Sequence, residues 1–174
     1  MTYTVIFAIG SLIIIWISIP SFRRPGSHGF FRFFAWEIIL GLFSIQLSVW
    51  FTNPFSWYQA ISWALLLASL IPLILGVILL RRVGKPTDQL EATTKLVTTG
   101  IYQFIRHPLY ASLLYLTWGL FFKSPNLLGI CLSSVSTSFL YATARADESE
   151  CLEKFGDEYA RYLSKTKMFI PYVF

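Results

Sequence analysis

The chain has 174 residues, of which 55% are apolar, 18% aromatic and only 13% charged, and its formal net charge is +5. A soluble domain carries about 25% charged residues, so this composition predicts an integral membrane protein with one membrane domain over residues 1–174. The basic residues flank apolar segments, which indicates topology and anionic lipid headgroups, and not nucleic acid, as their role.

Apolar segments long enough to cross a bilayer follow one another along the chain, since a spanning helix needs about 20 mostly apolar residues. Five spans are predicted, at about Tyr3–Ile19, Phe33–Phe51, Tyr58–Leu80, Pro108–Phe122 and Leu127–Ala144. The first is expected to stop at Pro20, and neither its flanks nor its length favour a signal peptide. Ser124-Pro125-Asn126 is a turn signal that predicts a helical hairpin from the last two spans.

The Lys and Arg residues lie almost entirely on one side of this arrangement. Thirteen of the 14 follow the first, third or fifth span, and the exception is Lys123. The positive-inside rule then places the N-terminus outside and the C-terminus in the cytoplasm. The sequence contains no visible internal repeat, so an inverted-repeat transporter is not indicated.

A polar, Thr-rich segment separates the third and fourth spans and is expected to form a cytoplasmic loop that returns to the membrane at Pro108. Arg106 and His107 lie at this return, where polar groups are costly to bury and are often functional. The following proline biases His107 away from helical geometry, which leaves its imidazole free to face a ligand. The alternative is that both side chains snorkel to the interface, and Tyr102 and Tyr110 taken singly are typical of interface anchors.

A charged amphipathic helix over about residues 145–164 is expected to end the chain, continuing from the fifth span. Its apolar face is marked by residues at helical spacing, namely Leu152, Phe155, Tyr159 and Tyr162. This face is predicted to dock on the bundle or on lipid headgroups.

Carboxylates occupy the start of this helix. Glu148 lies on the apolar face, Arg145 lies near it one turn earlier, and Asp147 lies at its edge, so together they form a candidate cation site at membrane depth. The alternative is a helix-start effect, because acidic residues favour helix N-termini. Glu150 is expected to pair locally with Lys154, four residues later.

The remaining polar and sulfur-bearing residues give weaker signals. Glu37, near the start of the second span, is expected to pair with a nearby base, and His28 lies in a Gly/Ser loop with no evident partner. Cys131 and Cys151 are too few for a disulfide framework or a metal cluster, so no metal is expected.

Several elements of the C-terminal half occur together in an order typical of a known family. They are Leu96-Val97-Thr98-Thr99-Gly100-Ile101-Tyr102, Arg106-His107-Pro108-Leu109-Tyr110, Asp147-Glu148, and Phe155-Gly156-Asp157-Glu158-Tyr159 with Tyr162 and Pro171. Over about residues 94–171 the chain resembles the isoprenylcysteine carboxyl methyltransferase family, and the related phospholipid N-methyltransferases share much of this pattern. The first three spans match only in hydropathy.

The resemblance implies a division of the membrane domain into two halves. Residues 90–171 would bind S-adenosylmethionine near the cytoplasmic face, and residues 1–80, with three spans, would form the acceptor side. The implied cofactor-binding positions are Leu96, Val97, Tyr102, His107, Pro108, Leu109, Tyr110, Asp147 and Glu148.

The candidate catalytic residues are Arg106, His107 and Arg145. An arginine suits a carboxylate of the acceptor or of the cofactor, and a histidine suits proton removal from an amine. The chain departs from the family pattern at three places. Asp147 replaces the usual first glutamate, Ser112 replaces a common glycine, and Arg145 is the nearest substitute for an arginine that family members place about four residues before the acidic pair.

The sequence therefore predicts an S-adenosylmethionine-dependent membrane methyltransferase that acts on a lipidated or lipid-like acceptor. The carboxylate of an isoprenylated cysteine is the first candidate, a phosphatidylethanolamine-type amine the second, and a small thiol the third. The alternative from another class is a non-catalytic membrane binding or assembly protein. Membrane lipids are expected partners, and the oligomeric state is left open.

Overall fold

The computed structural model describes residues 2–86 and 93–172, and it is built from α-helices. Its helices are α1 (Thr2–Phe22), α2 (His28–Gln46), α3 (Trp57–Leu79), α4 (Pro108–Phe121), α5 (Leu127–Phe155) and α6 (Asp157–Leu163). The described ranges contain no β-strand, only two isolated bridges. The predicted all-α class is confirmed, and part of the predicted polar loop, residues 87–92, lies outside the described residues.

Four segments within the described ranges are long and apolar enough to span a membrane. They are Tyr3–Phe22, His28–Val49, Trp57–Gly84 and Leu127–Phe155. The predicted fourth span is the 14-residue helix α4, which covers about 21 Å at ~1.5 Å per residue. This is shorter than the ~30 Å hydrocarbon core of a bilayer, so the five predicted apolar helices are present and four of them have the length of a full span.

Several helix boundaries differ from the prediction, and α2 begins at His28, five residues before the predicted Phe33. Pro20 lies inside α1, which ends two residues later at Phe22, because proline is tolerated in apolar membrane helices. The fifth span runs without a break into the predicted tail helix, as expected, but that helix ends at Phe155. Gly156 adopts a φ of 53° and separates α5 from α6, so the predicted tail helix is present but is divided into two pieces.

Small residues bring α3 and α4 close together. The Ser62 hydroxyl donates a hydrogen bond of 2.8 Å to the carbonyl of Gly119, and a Cβ atom at Gly119 would lie 2.9 Å from a methyl carbon of Leu66. Close backbone approach at small residues is typical of helix packing in membranes. In addition, α4 contacts both α2 and α5, so it is enclosed and many of its side chains are buried.

The basic segments predicted to share one membrane face do meet at one end of the bundle. His28 at the start of α2 contacts Glu150 near the end of α5 with an Nδ1–Oε2 distance of 2.6 Å, and Arg106, just before α4, contacts Glu148. Lys123 lies at the opposite end, beside the start of α3. Which end faces the cytoplasm stays a prediction.

Lys123 is held in a buried aromatic site at that opposite end. Only 1% of its surface is exposed, and its Nζ lies 3.0 Å from Oε1 of Gln59. The same Nζ is 3.6 Å from the ring centroid of Trp63 and 4.8 Å from that of Trp50. Burial lowers the pKa of Lys123, whereas the indole faces and the amide oxygen stabilise its ammonium form. This contact ties α3 to the turn that connects α4 and α5.

We predict that Lys123→Ala lowers the free energy of unfolding by about 2 kcal/mol, since a hydrogen bond to a charged group contributes ~1.5–3 kcal/mol. Thermal unfolding in detergent measures the effect as a lower melting temperature. Lys165→Ala removes the same charge from an exposed position and should leave the melting temperature unchanged. Equal melting temperatures for all three proteins would contradict the stabilising role of Lys123.

Candidate functional site

The Glu148 carboxylate is the centre of a buried ion cluster at the His28 end of the bundle. Glu148 is 3% exposed. Its Oε1 accepts a hydrogen bond of 2.8 Å from Nε of Arg106 and lies 3.4 Å from Nε2 of His107. Its Oε2 accepts a bond of 3.0 Å from Arg145. The close approach of His107 and Glu148 is what the sequence-based hypothesis of a joint site required.

His107 lies between two carboxylates. Its Nδ1 is 3.3 Å from Oδ2 of Asp147, and its Nε2 faces Glu148. Burial alone would lower the pKa of His107, but its hydrogen bonds and charge interactions with Asp147 and Glu148 outweigh burial and raise that pKa above its ordinary value. The imidazole also stacks on the ring of Tyr110, at 5.4 Å between centroids and 20° between planes. These contacts favour the imidazolium, so His107 is poorly suited to accept a further proton.

The local backbone explains how the two basic residues reach the cluster. His107 is the N-cap of α4, with φ −123° and ψ 63°, and Pro108 occupies the first turn of the helix, as the sequence predicts. The segment after α6 pairs with this stretch. The Arg106 amide donates a bond of 2.8 Å to the carbonyl of Lys167, and the His107 amide donates one of 3.2 Å to that of Met168.

The Arg106 side chain joins the same segments. Its Nη1 donates to the carbonyls of Thr166 and Leu163, in addition to the bond between Nε and Glu148. A guanidinium with three acceptors on two other segments fixes the relative positions of these segments. Arg106 therefore connects α5, the start of α4 and the C-terminal segment.

A cavity of about 70 Å³ opens beside this cluster, and we call it the site cavity. Its lining includes eight of the nine predicted cofactor-binding residues together with Arg106. These residues are Leu96, Val97, Tyr102, His107, Pro108, Leu109, Tyr110 and Asp147. The ninth, Glu148, lies behind the cavity wall and holds the cluster together. Arg145, predicted as catalytic, does not line the cavity, and its side chain is 62% exposed.

Sequence reasoning did not assign six other lining residues to the site. They are Leu80, Thr93, Cys151, Phe155, Tyr159 and Tyr162. The spacing of Asp147, Cys151 and Phe155 by four residues could have placed them on one helical face. Of the predicted apolar face, Phe155, Tyr159 and Tyr162 line the cavity, whereas Leu152 is 38% exposed. The predicted face thus meets the cavity at three of its four positions.

The predicted local pair of Glu150 and Lys154 is wrong. Glu150 accepts a bond of 2.9 Å from the backbone amide of His28 and contacts the His28 ring at 2.6 Å. The Lys154 ammonium donates a bond of 2.7 Å to the carbonyl of Thr93. A helix N-terminus and an imidazole satisfy a partly buried carboxylate better than an exposed lysine on the same helix does. The expected pairing of Glu37 with a base is replaced by a hydrogen bond of 3.0 Å from the Ser11 hydroxyl.

The chain is a bundle of membrane-length helices with a charged, aromatic-lined cavity at one end. A family model described as phospholipid methyltransferase matches residues 57–158, more than half of the chain. The chain therefore belongs to the phospholipid methyltransferase family, which confirms the family resemblance predicted from the motifs. The matched range contains α3, α4 and α5, and hence the cluster around Glu148.

Two curated relatives support this assignment at low identity. The chain is 29% identical over 85 residues to methanethiol S-methyltransferase 1 of Bradyrhizobium diazoefficiens, covering 47% of this chain and 28% of the relative. It is 28% identical over 98 residues to methanethiol S-methyltransferase of Crocosphaera subtropica, covering 54% and 36% respectively. The matched part thus spans about a third of the length of these relatives. No solved structure matches the chain.

The pH dependence of stability tests the charge state of His107. Because its folded pKa is raised, the stabilising contribution is fully present below the unfolded value of about 6.5 and is lost as pH rises through the folded pKa. We expect wild type to be more stable than His107→Gln at pH 6, with the difference shrinking as pH increases. Thermal unfolding in detergent between pH 6 and 9 measures it.

The other histidine provides the control for this measurement. His28→Gln leaves His107 and both of its carboxylate partners in place, so the pH-dependent loss that His107→Gln removes should remain. A difference between wild type and His107→Gln that does not change with pH would show that His107 is neutral in the folded protein.

Proposed function

We propose that this protein is an S-adenosylmethionine-dependent methyltransferase whose donor binds in the site cavity. The observation that carries the proposal is the site cavity itself, where an acid, a histidine held between two carboxylates and aromatic rings converge beside Glu148 within the segment that matches the family. Perturbed titratable groups in a concave site are typical of functional sites. The two methyltransferases named above support the same reaction class.

The lining residues fit the chemistry of this donor, which supplies an electrophilic methyl group on a sulfonium cation. The Asp147 carboxylate and the faces of Tyr102 and Tyr110 suit a cation that is removed from water. The apolar side chains of Val97 and Leu109 suit the adenine ring. The buried Glu148 cluster holds His107 and Arg106 in fixed positions, so it preorganises the cavity wall and is not itself a contact of the donor.

The site cavity must widen to accept a molecule of this size. Its volume is about 70 Å³, whereas sites for small molecules typically measure about 300–1,000 Å³. Lining side chains such as Phe155 are only partly buried and can move aside. Binding therefore includes a local rearrangement of the walls, as is common at ligand sites.

The charges favour an acceptor that reacts as an anion. Asp147 and Glu148 face both ring nitrogens of His107 and raise its pKa, which disfavours His107 as a general base for an ammonium group. A carboxylate is already ionised at neutral pH and needs no base, which keeps an isoprenylated cysteine or a similar lipid-like acid as the first acceptor. The small thiol is supported by the names of the curated relatives. A phosphatidylethanolamine-type amine would need Asp147 to accept its proton.

In this proposal the site end of the bundle faces the cytoplasm, as the positive-inside rule predicts. The helices from α1 to α3 form the acceptor side, and residues from Thr93 to the end of α6 form the donor side. Membrane lipids surround the apolar helices, and α1 exposes most of its side chains.

Separate substitutions of the two neighbouring carboxylates distinguish a donor contact from a structural role. Asp147→Asn should weaken S-adenosylmethionine binding more than tenfold, a loss of over ~1.4 kcal/mol. It should weaken binding of the product S-adenosylhomocysteine, which lacks the sulfonium charge, much less. Glu148→Gln should lower the free energy of unfolding by about 3 kcal/mol, since breaking a buried ion pair costs ~3–5 kcal/mol. Calorimetry and thermal unfolding in detergent measure these effects.

The matched control is Glu158→Gln, which removes one acidic charge from an exposed position on α6 and should change neither quantity. Equal losses of affinity for the sulfonium compound and for its thioether product would contradict the role of Asp147. No binding of either compound to wild type would favour the non-catalytic membrane protein.

A methyl-transfer assay with labelled donor tests whether the reaction occurs and which acceptor is preferred. N-acetyl-S-farnesylcysteine, phosphatidylethanolamine and methanethiol represent the three acceptor classes. We expect the highest kcat/KM for the farnesylated carboxylate. A larger value for methanethiol would establish the small thiol as the acceptor. Donor binding without transfer to any of the three compounds would exclude all three acceptor classes.

A further inference from the structure

A second and wider cavity lies next to the site cavity, and we call it the corner cavity. Its volume is about 790 Å³, large enough for a lipid headgroup or a small amphiphile. One wall is the corner between α1 and α2, and the other is the last part of α5. The corner contributes Pro20, Ser21, Arg23, Arg24, Ser27, His28 and Gly29.

The two cavities share a wall. Thr93, Asp147, Cys151 and Phe155 line both of them, and the last three lie on one face of α5. A group bound in the corner cavity is therefore separated from the site cavity by no more than one layer of side chains. Group transfer requires that two reactants meet at about 3 Å, so side chains of the common wall, such as the partly buried Phe155, must move aside for the two bound groups to react.

Most charges of the corner cavity are already engaged. Glu150 binds the backbone and ring of His28, Asp147 contacts His107, and Lys154 donates to a carbonyl. The Glu150 carboxylate also occupies the N-terminus of α2, which would otherwise attract an anion.

Two arginines remain available on the corner wall. Arg23 and Arg24 are exposed, and neither guanidinium forms a hydrogen bond or ion pair within 4 Å among the described residues, although Arg24 interacts with Glu150 at longer range. Glu153 is the acidic side chain on the opposite wall that is also exposed. Two neighbouring guanidinium groups suit an oxyanion, because each can donate two parallel hydrogen bonds to it.

We propose that the corner cavity binds the headgroup of the methyl acceptor, and that Arg23 and Arg24 bind an oxyanion on that headgroup. This rests on the proposed methyltransferase function and makes it more specific. The acceptor carries a carboxylate or a phosphate at the membrane interface, and its lipid portion remains among the apolar helices. A neutral small thiol has no group for these arginines.

Paired ligands, of which one carries the oxyanion and the other lacks it, test this assignment by binding alone. The first pair is N-acetyl-S-farnesylcysteine and its methyl ester, and the second is phosphatidylethanolamine and diacylglycerol of the same acyl chains. In at least one pair, wild type should bind the ligand that carries the oxyanion about tenfold more tightly than the ligand that lacks it. The pair that shows the preference identifies carboxylate or phosphate as the source.

Two double variants with the same change of charge complete the experiment. Arg23→Ala/Arg24→Ala should abolish the preference for the oxyanion and leave S-adenosylhomocysteine affinity unchanged. Arg81→Ala/Arg82→Ala removes two exposed arginines at the same end of the bundle that line neither cavity, and it should retain the preference. Loss of the preference in both variants, retention in both, or no preference in wild type would each overturn the proposal.

These experiments distinguish a failure of the proposed oxyanion site from a failure of the proposed methyltransferase function. An oxyanion preference that depends on Arg23 and Arg24, together with no methyl transfer, would refute the reaction and keep the binding site. Methyl transfer that is unaffected by Arg23→Ala/Arg24→Ala, with KM for the farnesylated acid within about twofold of wild type, would keep the reaction and refute the assignment of the corner cavity.

Discussion

The buried Glu148 carboxylate is the group on which the geometry of the site depends. It is removed from water, and its two oxygens face Arg106, His107 and Arg145. An uncompensated charge at this depth would be very costly, so the carboxylate requires that the start of α4 and the middle of α5 stay together. Arg106 extends this requirement to the C-terminal segment through backbone carbonyls. One ion cluster thereby fixes the three segments that frame the site cavity.

The short helix α4 explains why this cavity is set into the bundle. Its 14 residues cover about half the length of α5, which has 29. One end of α4 is tied to α3 by the buried Lys123 contact with Gln59. Its other end, at His107, therefore lies below the ends of its longer neighbours, where their side chains surround it. A recessed helix start with Pro108 in its first turn leaves room that a full-length helix would fill.

The motif residues were predictable to a large extent, and their partners were not. The elements around Arg106-His107-Pro108 and Asp147-Glu148 gave the family, and eight of the nine predicted cofactor-binding residues line one cavity. Helical spacing correctly indicated that Glu148 faces the bundle, but it did not show that Asp147 is the acid nearest the cavity. The pairing of His28 with Glu150 spans 122 residues. Local spacing favoured Lys154 as the partner of Glu150, because the i,i+4 rule applies only to residues of the same helix.

The sequence by itself determined the membrane class, the helical architecture and the family, because hydropathy, basic flanks and short motifs are local properties of the chain. The tertiary structure decided how the charges are distributed. It placed Glu148 among three basic side chains, left Asp147 on the cavity wall, and brought the corner between α1 and α2 to the end of α5. Such contacts depend on the packing of helices that are distant in the chain. The geometry with which two helices pack cannot be derived from the hydrophobic periodicity of either helix alone.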